Sequence, residues 1–386
     1  MTLKAVLSGL LLAAPLAVAH PSGHEPVPQH AARPLKGRDL NHCSKRFKEP
    51  TFQKRFVEKN GDEFLRLRRS AGIEPHDSPG ISKRDYLSVS QIDHQEDREV
   101  TLDMPPAELF ADAGACMLMP AVDQGPLYVL GEEVRKDITN GEPGIPMTLA
   151  IQAVDVNTCE PVTDAYLDIW SSNATGIYVG VQGYPGMGDP NDPSILMGTT
   201  LRGVQPTDED GIATFDTLMP GHYDGRATHI HAIVYLGATK EANNTITGGR
   251  AAHVGQIYFD QSLITDANAV APYSSNTMAI LPNTQDFLFQ MGANGDDPIV
   301  RYALVGSTVE EGIYAWIRFG IDTTADMPVN PAAFWTEDGG VMNPTGPISQ
   351  IGGGGFPGFP GGGFPGMPTM PGIGRLLRRL FGGGGE

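Results

Sequence analysis

The sequence predicts an all-β body, a sandwich or barrel, and three observations carry the prediction. Apolar and polar residues alternate with period two over short runs between about residues 105 and 325: Met147 to Val156, Ala165 to Trp170, Ile212 to Phe215, Ala227 to Leu236, Gln256 to Phe259 and Gly312 to Asp322. Gly, Pro, Asn and Asp punctuate the gaps, and no long run of helical period lies between the strands. About two hundred residues are enough to bury one sizeable core.

The first element in the chain is a secretory signal over residues 1–19. Lys4 supplies the positive start, Ala5 to Val18 a short apolar core, and Ala17-Val18-Ala19 the small residues that a signal peptidase accepts. No other run approaches the roughly twenty apolar residues of a membrane span, so a secreted, extracellular protein without a membrane anchor is expected. Residues 20–84 read as a basic leader. Residues 1–84 carry a net +7 within a total of −18, which leaves −25 on the rest. So acidic a body excludes nucleic acid as a partner, because that affinity rests on neutralising phosphates with Lys and Arg.

Dibasic pairs at Lys45-Arg46, Lys54-Arg55 and Lys83-Arg84 suggest a propeptide cut after Arg84. On the alternative reading, Arg66, Arg68 and Arg69 lie on the wet face of an amphipathic helix from about Glu58 to Ser70. The three cysteines allow Cys116 to pair with Cys159, with Cys43 left over in the leader, or all three to be free.

Residues 345–386 form a tail whose Gly, Pro, Phe and Met repeats cannot support a packed core, so a tether is expected. Its spaced Phe356, Phe359 and Phe364 leave cell-wall association open. Asn243-Asn244-Thr245 and Asn173-Ala174-Thr175 both fit the glycosylation acceptor pattern. The first lies in a polar loop, and for Asn173 a turn role is expected. Oligomeric state is not written in the sequence.

The chemistry gathers around His229-Ile230-His231. Two histidines one residue apart in a strand share a face and make a bidentate metal arm. Tyr223 precedes them and Tyr178 lies further upstream. Phenolates are hard anionic oxygen donors, and two of them beside two imidazoles suit trivalent iron better than zinc or copper. Between Tyr223 and His229 an extended chain would span roughly 20 Å, so a turn at Asp224-Gly225 must fold it back.

These residues sit in an ordered set of motifs: Gly125-Pro126-Leu127-Tyr128, Trp170-Ser171-Ser172-Asn173 through Gly176 and Tyr178, Leu201-Arg202-Gly203 through Asp208, Pro220-Gly221-His222-Tyr223, and Arg226 through His231. The set resembles the intradiol ring-cleavage dioxygenases, and with the signal segment it is similar to their extracellular fungal subgroup. The resemblance implies a β-sandwich over residues 105–325 and a non-heme Fe(III) bound by Tyr178, Tyr223, His229 and His231. It further implies a catechol-type substrate opened between its two hydroxyls with O2 to a muconate-type diacid. By the same resemblance Tyr223 would also serve as an internal base, Arg226 would stabilise negative charge on the ring, Gln256 would orient by hydrogen bonding, and Tyr128 and Trp170 would line the substrate pocket. Two other functions stay open at this point: a non-catalytic secreted binding module, and a copper or zinc enzyme built on the His-x-His strand.

Overall fold

The computed structural model describes residues 43–47, 49–71, 86–95, 123–182, 192–293 and 296–350. The expected signal segment, Lys83-Arg84, Cys116 and the tail beyond Gln350 lie outside the described residues. In chain order the strands are β1 (Val129–Leu130), β2 (Pro146–Asp155), β3 (Ala165–Trp170), β4 (Arg202–Pro206), β5 (Ile212–Leu218), β6 (His229–Lys240), β7 (Ile246–Tyr258), β8 (Arg301–Leu304), β9 (Ile313–Ile321), β10 (Ala333–Thr336) and β11 (Gly339–Met342). The helices are α1 (Ser44–Phe47), α2 (Pro50–Ala71), α3 (Tyr86–Val89), α4 (Gln261–Ala269), α5 (Phe287–Gly292) and α6 (Pro347–Gln350).

Two four-stranded sheets, ordered β5-β2-β9-β8 and β4-β3-β6-β7, make the sandwich. Strand β2 runs parallel to β9, with Met147 opposite Ile313, and the remaining pairs of these two sheets are antiparallel. Alternation decides what meets between the sheets. Leu149 and Ile151 of β2 and Ile317 and Phe319 of β9 share one buried cluster with Leu167 and Ile169 of β3 and Ile230, Ala232 and Val234 of β6. The opposite residues of each strand must then find cover elsewhere, and each sheet has a different one.

The outer face of the first sheet is covered by the segment expected to be a removable leader. Phe56, Val57 and Phe64 of α2 pack on Ala150, Ile212, Ala303, Tyr314 and Trp316. Helix α2 is longer than the run expected from Glu58 to Ser70, and Arg68, expected on its wet face, is buried and donates from Nε to the Val305 carbonyl at 3.1 Å. Tyr314 donates to Asn60 Oδ1 at 2.6 Å, and the Arg318 guanidinium lies 4.5 Å from the Phe56 ring centroid. The basic charges of the segment find the acidic ones of the body: Arg46 pairs with Glu160, Arg55 with Asp210 and Lys59 with Asp208.

The expected Cys116–Cys159 pairing is corrected in the same place. Cys159 sits in the turn after β2, beside α1, and forms a disulfide with Cys43 across 116 residues of chain, with the Cα atoms 5.4 Å apart. In the chain-entropy picture a loop of that size stabilises by about 4–5 kcal/mol. The folded body also exceeds the expected 105–325 span, because β10 pairs in parallel with β1 and antiparallel with β11 in a third sheet. Among the described residues no helix is long and apolar enough to cross a membrane.

Residues 86–95 form a strap. Val89 packs with Ala227, Tyr258, Phe289, Ala293 and Ile299. His94 lies buried between two carboxylates, with Nδ1 2.5 Å from Asp260 Oδ1 and Nε2 3.0 Å from Asp297 Oδ2. Burial alone would discharge the imidazole, but Asp297 and Asp260 outweigh it and raise its pKa to about 9.

Two outcomes follow from this packing. A chain cut between residues 71 and 86 should run as one species on non-reducing electrophoresis and as two after reduction; two species without reductant would place Cys43 elsewhere. His94 binds its proton more tightly in the folded state than at its unfolded value near 6.5, so its stabilisation is fully present below about pH 6.5 and lost as pH rises through about 9. Unfolding midpoints from pH 6 to 10 should therefore fall more steeply for the native chain than for His94→Gln.

Candidate metal centre

The site lies on the outer face of the second sheet, and strand register builds it. Trp170 of β3 stands opposite His231 of β6, which stands opposite Gln256 of β7. One step along the same face, His229 stands opposite Tyr258. Because β6 alternates, Ile230 and Ala232 serve the sandwich core while His229 and His231 point away from it.

Four side chains converge there. His229 Nε2 is 3.0 Å from His231 Nε2 and 3.2 Å from Tyr223 Oη. The Tyr178 ring lies edge-on to Tyr223, with centroids 5.5 Å apart, and 6.3 Å from the His231 ring. The turn at Asp224-Gly225, with Gly225 at φ 81°, returns the chain so that Tyr223 meets the start of β6. Tyr178 comes from the turn after β3. There Asn173 Oδ1 accepts from the Thr175 and Ile177 amides, and the Ser172 hydroxyl donates to the Gly221 carbonyl, so the segments carrying Tyr178 and Tyr223 are tied to each other.

The electronic state of the donors fits a cation. His229 Nδ1 is 2.6 Å from the Ala227 carbonyl, which can only accept, so the proton sits on Nδ1 and Nε2 presents its lone pair. Burial, with the nearby Arg226 charge added, lowers the pKa of His229 well below the usual imidazole value. Burial likewise lowers that of His231, with further help from His229 and Arg226. Both rings are therefore neutral. Burial pushes the Tyr178 phenol up to about 12, although the neighbouring Tyr223 hydroxyl and the Arg226 and Arg202 charges pull it down. A positive ion at the point where the four side chains meet would add to that pull and favour the phenolate, and two hard anionic oxygens beside two imidazoles are a donor set that suits such an ion. Among the described residues no cluster of three or more His, Cys, Asp or Glu could hold a metal, so a metal held here would rest on this two-histidine, two-tyrosine set.

Beside the donors lies Arg226. Its Nη2 donates to Gln256 Oε1 at 2.5 Å and to Tyr258 Oη at 3.0 Å, and its Nε donates to Asp286 Oδ2 at 2.8 Å. Gln256 is held in turn by a 3.0 Å bond from Nε2 to the Asp123 carbonyl. Tyr128 and Trp170, expected as pocket walls, are both buried beside His231. Trp170 stacks on His231 with nearly parallel rings and 4.7 Å between centroids, and the Tyr128 ring centroid lies 4.8 Å from that of Trp170, with its hydroxyl donating to Asp168. Both rings are sealed, and their position suits them to fixing the His231 plane. Tyr258 and Asp286 were not anticipated. The period-two step from Gln256 could have found Tyr258, whereas Asp286 comes from a distant segment whose approach no local pattern encodes.

Gly125 has a reason to be glycine. Its φ is 77°, and a Cβ there would stand 2.9 Å from His231 Cε1. Gly141 has a similar φ of 72° with nothing within 4 Å. Gly125→Ala should therefore lower the unfolding midpoint further than Gly141→Ala, by more than the about 1 kcal/mol that backbone strain alone costs. Equal shifts would mean that His231 yields freely.

Residues 124–278 match the family model described as Dioxygenase. Similar solved structures include an intradiol ring-cleavage dioxygenase from Tetranychus urticae, 29% identical, covering 57% of this chain and 100% of its own, with a TM-score of 0.46. They also include the dioxygenase domain of a dioxygenase–carbohydrate-binding fusion from Streptomyces sp. SirexAA-E, 24% identical over 53% of this chain and 98% of its own, with a TM-score of 0.35. Catechol 1,2-dioxygenase from Pseudomonas arvilla C-1 is 18% identical over 57% of this chain and 68% of its own, with a TM-score of 0.35. No match was found among the curated proteins compared. The matched residues 124–278 contain all four converging side chains together with Arg226 and Gln256, in the motif order read from the sequence, and this part of the chain matches the dioxygenase family model.

Proposed function

We propose that this enzyme is a secreted non-heme iron(III) protein that opens a catechol-type ring between its two hydroxyls with O2. The observation that carries the reading is the convergence of two neutral imidazole nitrogens and two buried phenols from three separate segments of chain. When bound, ferric iron supplies the electron-accepting centre that lets a singlet catecholate react with triplet oxygen. Tyr178, Tyr223, His229 and His231 would hold it, two anionic oxygens balancing its charge. Tyr223, on a turn outside the sheet, is the ligand best placed to swing away and take a catechol proton at its phenolate oxygen. Arg226 supplies fixed positive charge where electron density builds on the ring. Gln256 orients that guanidinium through its carbonyl oxygen.

The test is oxygen uptake by the purified, iron-loaded protein against a panel of catechols, with identification of the diacid product. Tyrosinate coordination to ferric iron should colour the protein red to burgundy, whereas zinc would leave it colourless. Tyr178→Phe should lose most of the visible band and of the bound iron. Tyr223→Phe should keep part of the iron and turn over more slowly, by about 100- to 10,000-fold, the scale for a positioned acid–base group. His231→Ala should abolish activity. Unchanged spectra in both tyrosine variants would overturn the ligand set, and a coloured protein inert to every catechol would favour a binding role.

A further inference from the structure

Arg226 is the one cation that the proposed reaction asks to face the substrate, and it is nearly buried, where a guanidinium is held only if its N–H groups find acceptors. Its Nε and Nη2 are engaged. Asp286 Oδ2 accepts from Nε at 2.8 Å, and Asp286 Oδ1 lies 3.4 Å from Nη2. Nη2 also reaches Tyr258 Oη at 3.0 Å and Gln256 Oε1 at 2.5 Å, and Tyr258 donates to that same Gln256 oxygen at 2.8 Å. No acceptor among the described residues engages Nη1. A planar group gripped along one edge by a carboxylate and an amide cannot rotate about its long axis without breaking several bonds at once.

Asp286 is itself immobilised. It is buried, its Oδ2 also accepts from the Ala227 amide at 2.8 Å, and its Oδ1 accepts from the Phe289 amide at 2.9 Å as the N-cap of α5. One carboxylate thus joins the guanidinium, the backbone two residues before His229, and the start of a helix. It lies outside the matched residues 124–278. Its negative charge also compensates Arg226: burial weakens that guanidinium's hold on its proton, and Tyr258, Tyr223 and Asp286 more than restore it.

We propose that Asp286 is a positioning residue for Arg226 and that, with the Tyr258 hydroxyl, it fixes the guanidinium plane beside the metal centre. The inference rests on the dioxygenase reading for its catalytic consequence but not for the contact itself, so two measurements keep them apart. The first is a double-mutant cycle on the iron-loaded enzyme. Asp286→Asn should lower kcat about 10- to 100-fold, the usual cost of losing an outer partner of an active group, with iron content, visible band and KM little changed. In an Arg226→Leu background, Asp286→Asn should cost less than about 2-fold further, because its partner is already gone. A smaller loss in Tyr258→Phe should vanish in that background too, and this cycle carries the test if Asp286→Asn does not fold. The second measurement needs no turnover. In the metal-free protein labelled with 15N-arginine, the Arg226 Nε–H resonance, identified by its absence in Arg226→Leu, should exchange slowly with solvent and do so much faster in Asp286→Asn, or in Tyr258→Phe if the former is unfolded.

Unchanged kcat in Asp286→Asn, or equal losses with and without Arg226, would overturn the positioning role. Rapid Nε–H exchange in the native chain would overturn the contact. A native protein that consumes no oxygen with any catechol, but whose Nε–H is protected, would sink the dioxygenase reading while leaving the Asp286–Arg226 contact in place.

Discussion

Strand β6 must satisfy two interiors at once, and most of the molecule is arranged around that requirement. Its even-numbered residues, Ile230, Ala232 and Val234, complete the core between the sheets, while His229, His231, Ile233 and Tyr235 stand on the other face. A slip of one residue in register would bury both imidazoles in the sandwich and expose the core residues to the site. Pairing with β3 on one side and β7 on the other prevents the slip. The same register brings Trp170, Gln256 and Tyr258 alongside the histidines, so the sheet that supplies both imidazoles also supplies their supports.

The site carries more buried charge than a core normally tolerates, and it does so by compensation. Arg226 is matched by Asp286. On the other side of Tyr178, the buried Arg202 donates to the Val179 and Leu127 carbonyls and lies 4.0 Å from Glu132. Burial pushes Glu132 up to about 8 and Asp168 up to about 7, although Arg202 pulls both down. The positive charges of Arg226 and Arg202 thus flank the Tyr178 phenol, where they favour its anionic form. In a low-dielectric pocket such fixed charges act strongly, and two neutral imidazoles with two ionisable phenols form a donor set whose own charge can balance a trivalent ion.

On the opposite side of the molecule, the N-terminal helix has a structural role that its basic composition disguises. The outer residues of β2 and β9 would leave Ala150, Tyr314 and Trp316 uncovered, and Phe56 and Phe64 bury them. Replacing a buried Phe by Ala costs about 3–5 kcal/mol, so each of these aromatics carries a sizeable part of a domain's usual net stability. The ion pairs to Glu160, Asp208 and Asp210 are largely exposed and add little energy singly. Their contribution is direction, because a basic helix over an acidic sheet is seated one way.

The sequence by itself determined what depends on neighbours in the chain. Period-two alternation placed His229 and His231 on one face and delimited β2, β3, β6 and β9 to within a few residues. Asp224-Gly225 announced the turn that Tyr223 needs, and the motif order pointed to the family. Tertiary structure alone decided what depends on segments meeting from far apart. The alternation of β2 and β9 shows that each strand has two faces but not what covers the outer one, so nothing in the charged, dibasic run announced that its aromatics pack on a sheet. Three cysteines suggested Cys116 as the partner of Cys159, whereas the true pairing with Cys43 requires the turn after β2 to meet α1. The resemblance put Trp170 and Tyr128 at the substrate pocket, whereas their burial and the stacking of Trp170 on His231 appear only in the fold. Asp286 had no signal beyond a helix cap, since its bond to Arg226 spans sixty residues of chain and arises only when the loop after β7 folds back against the start of β6.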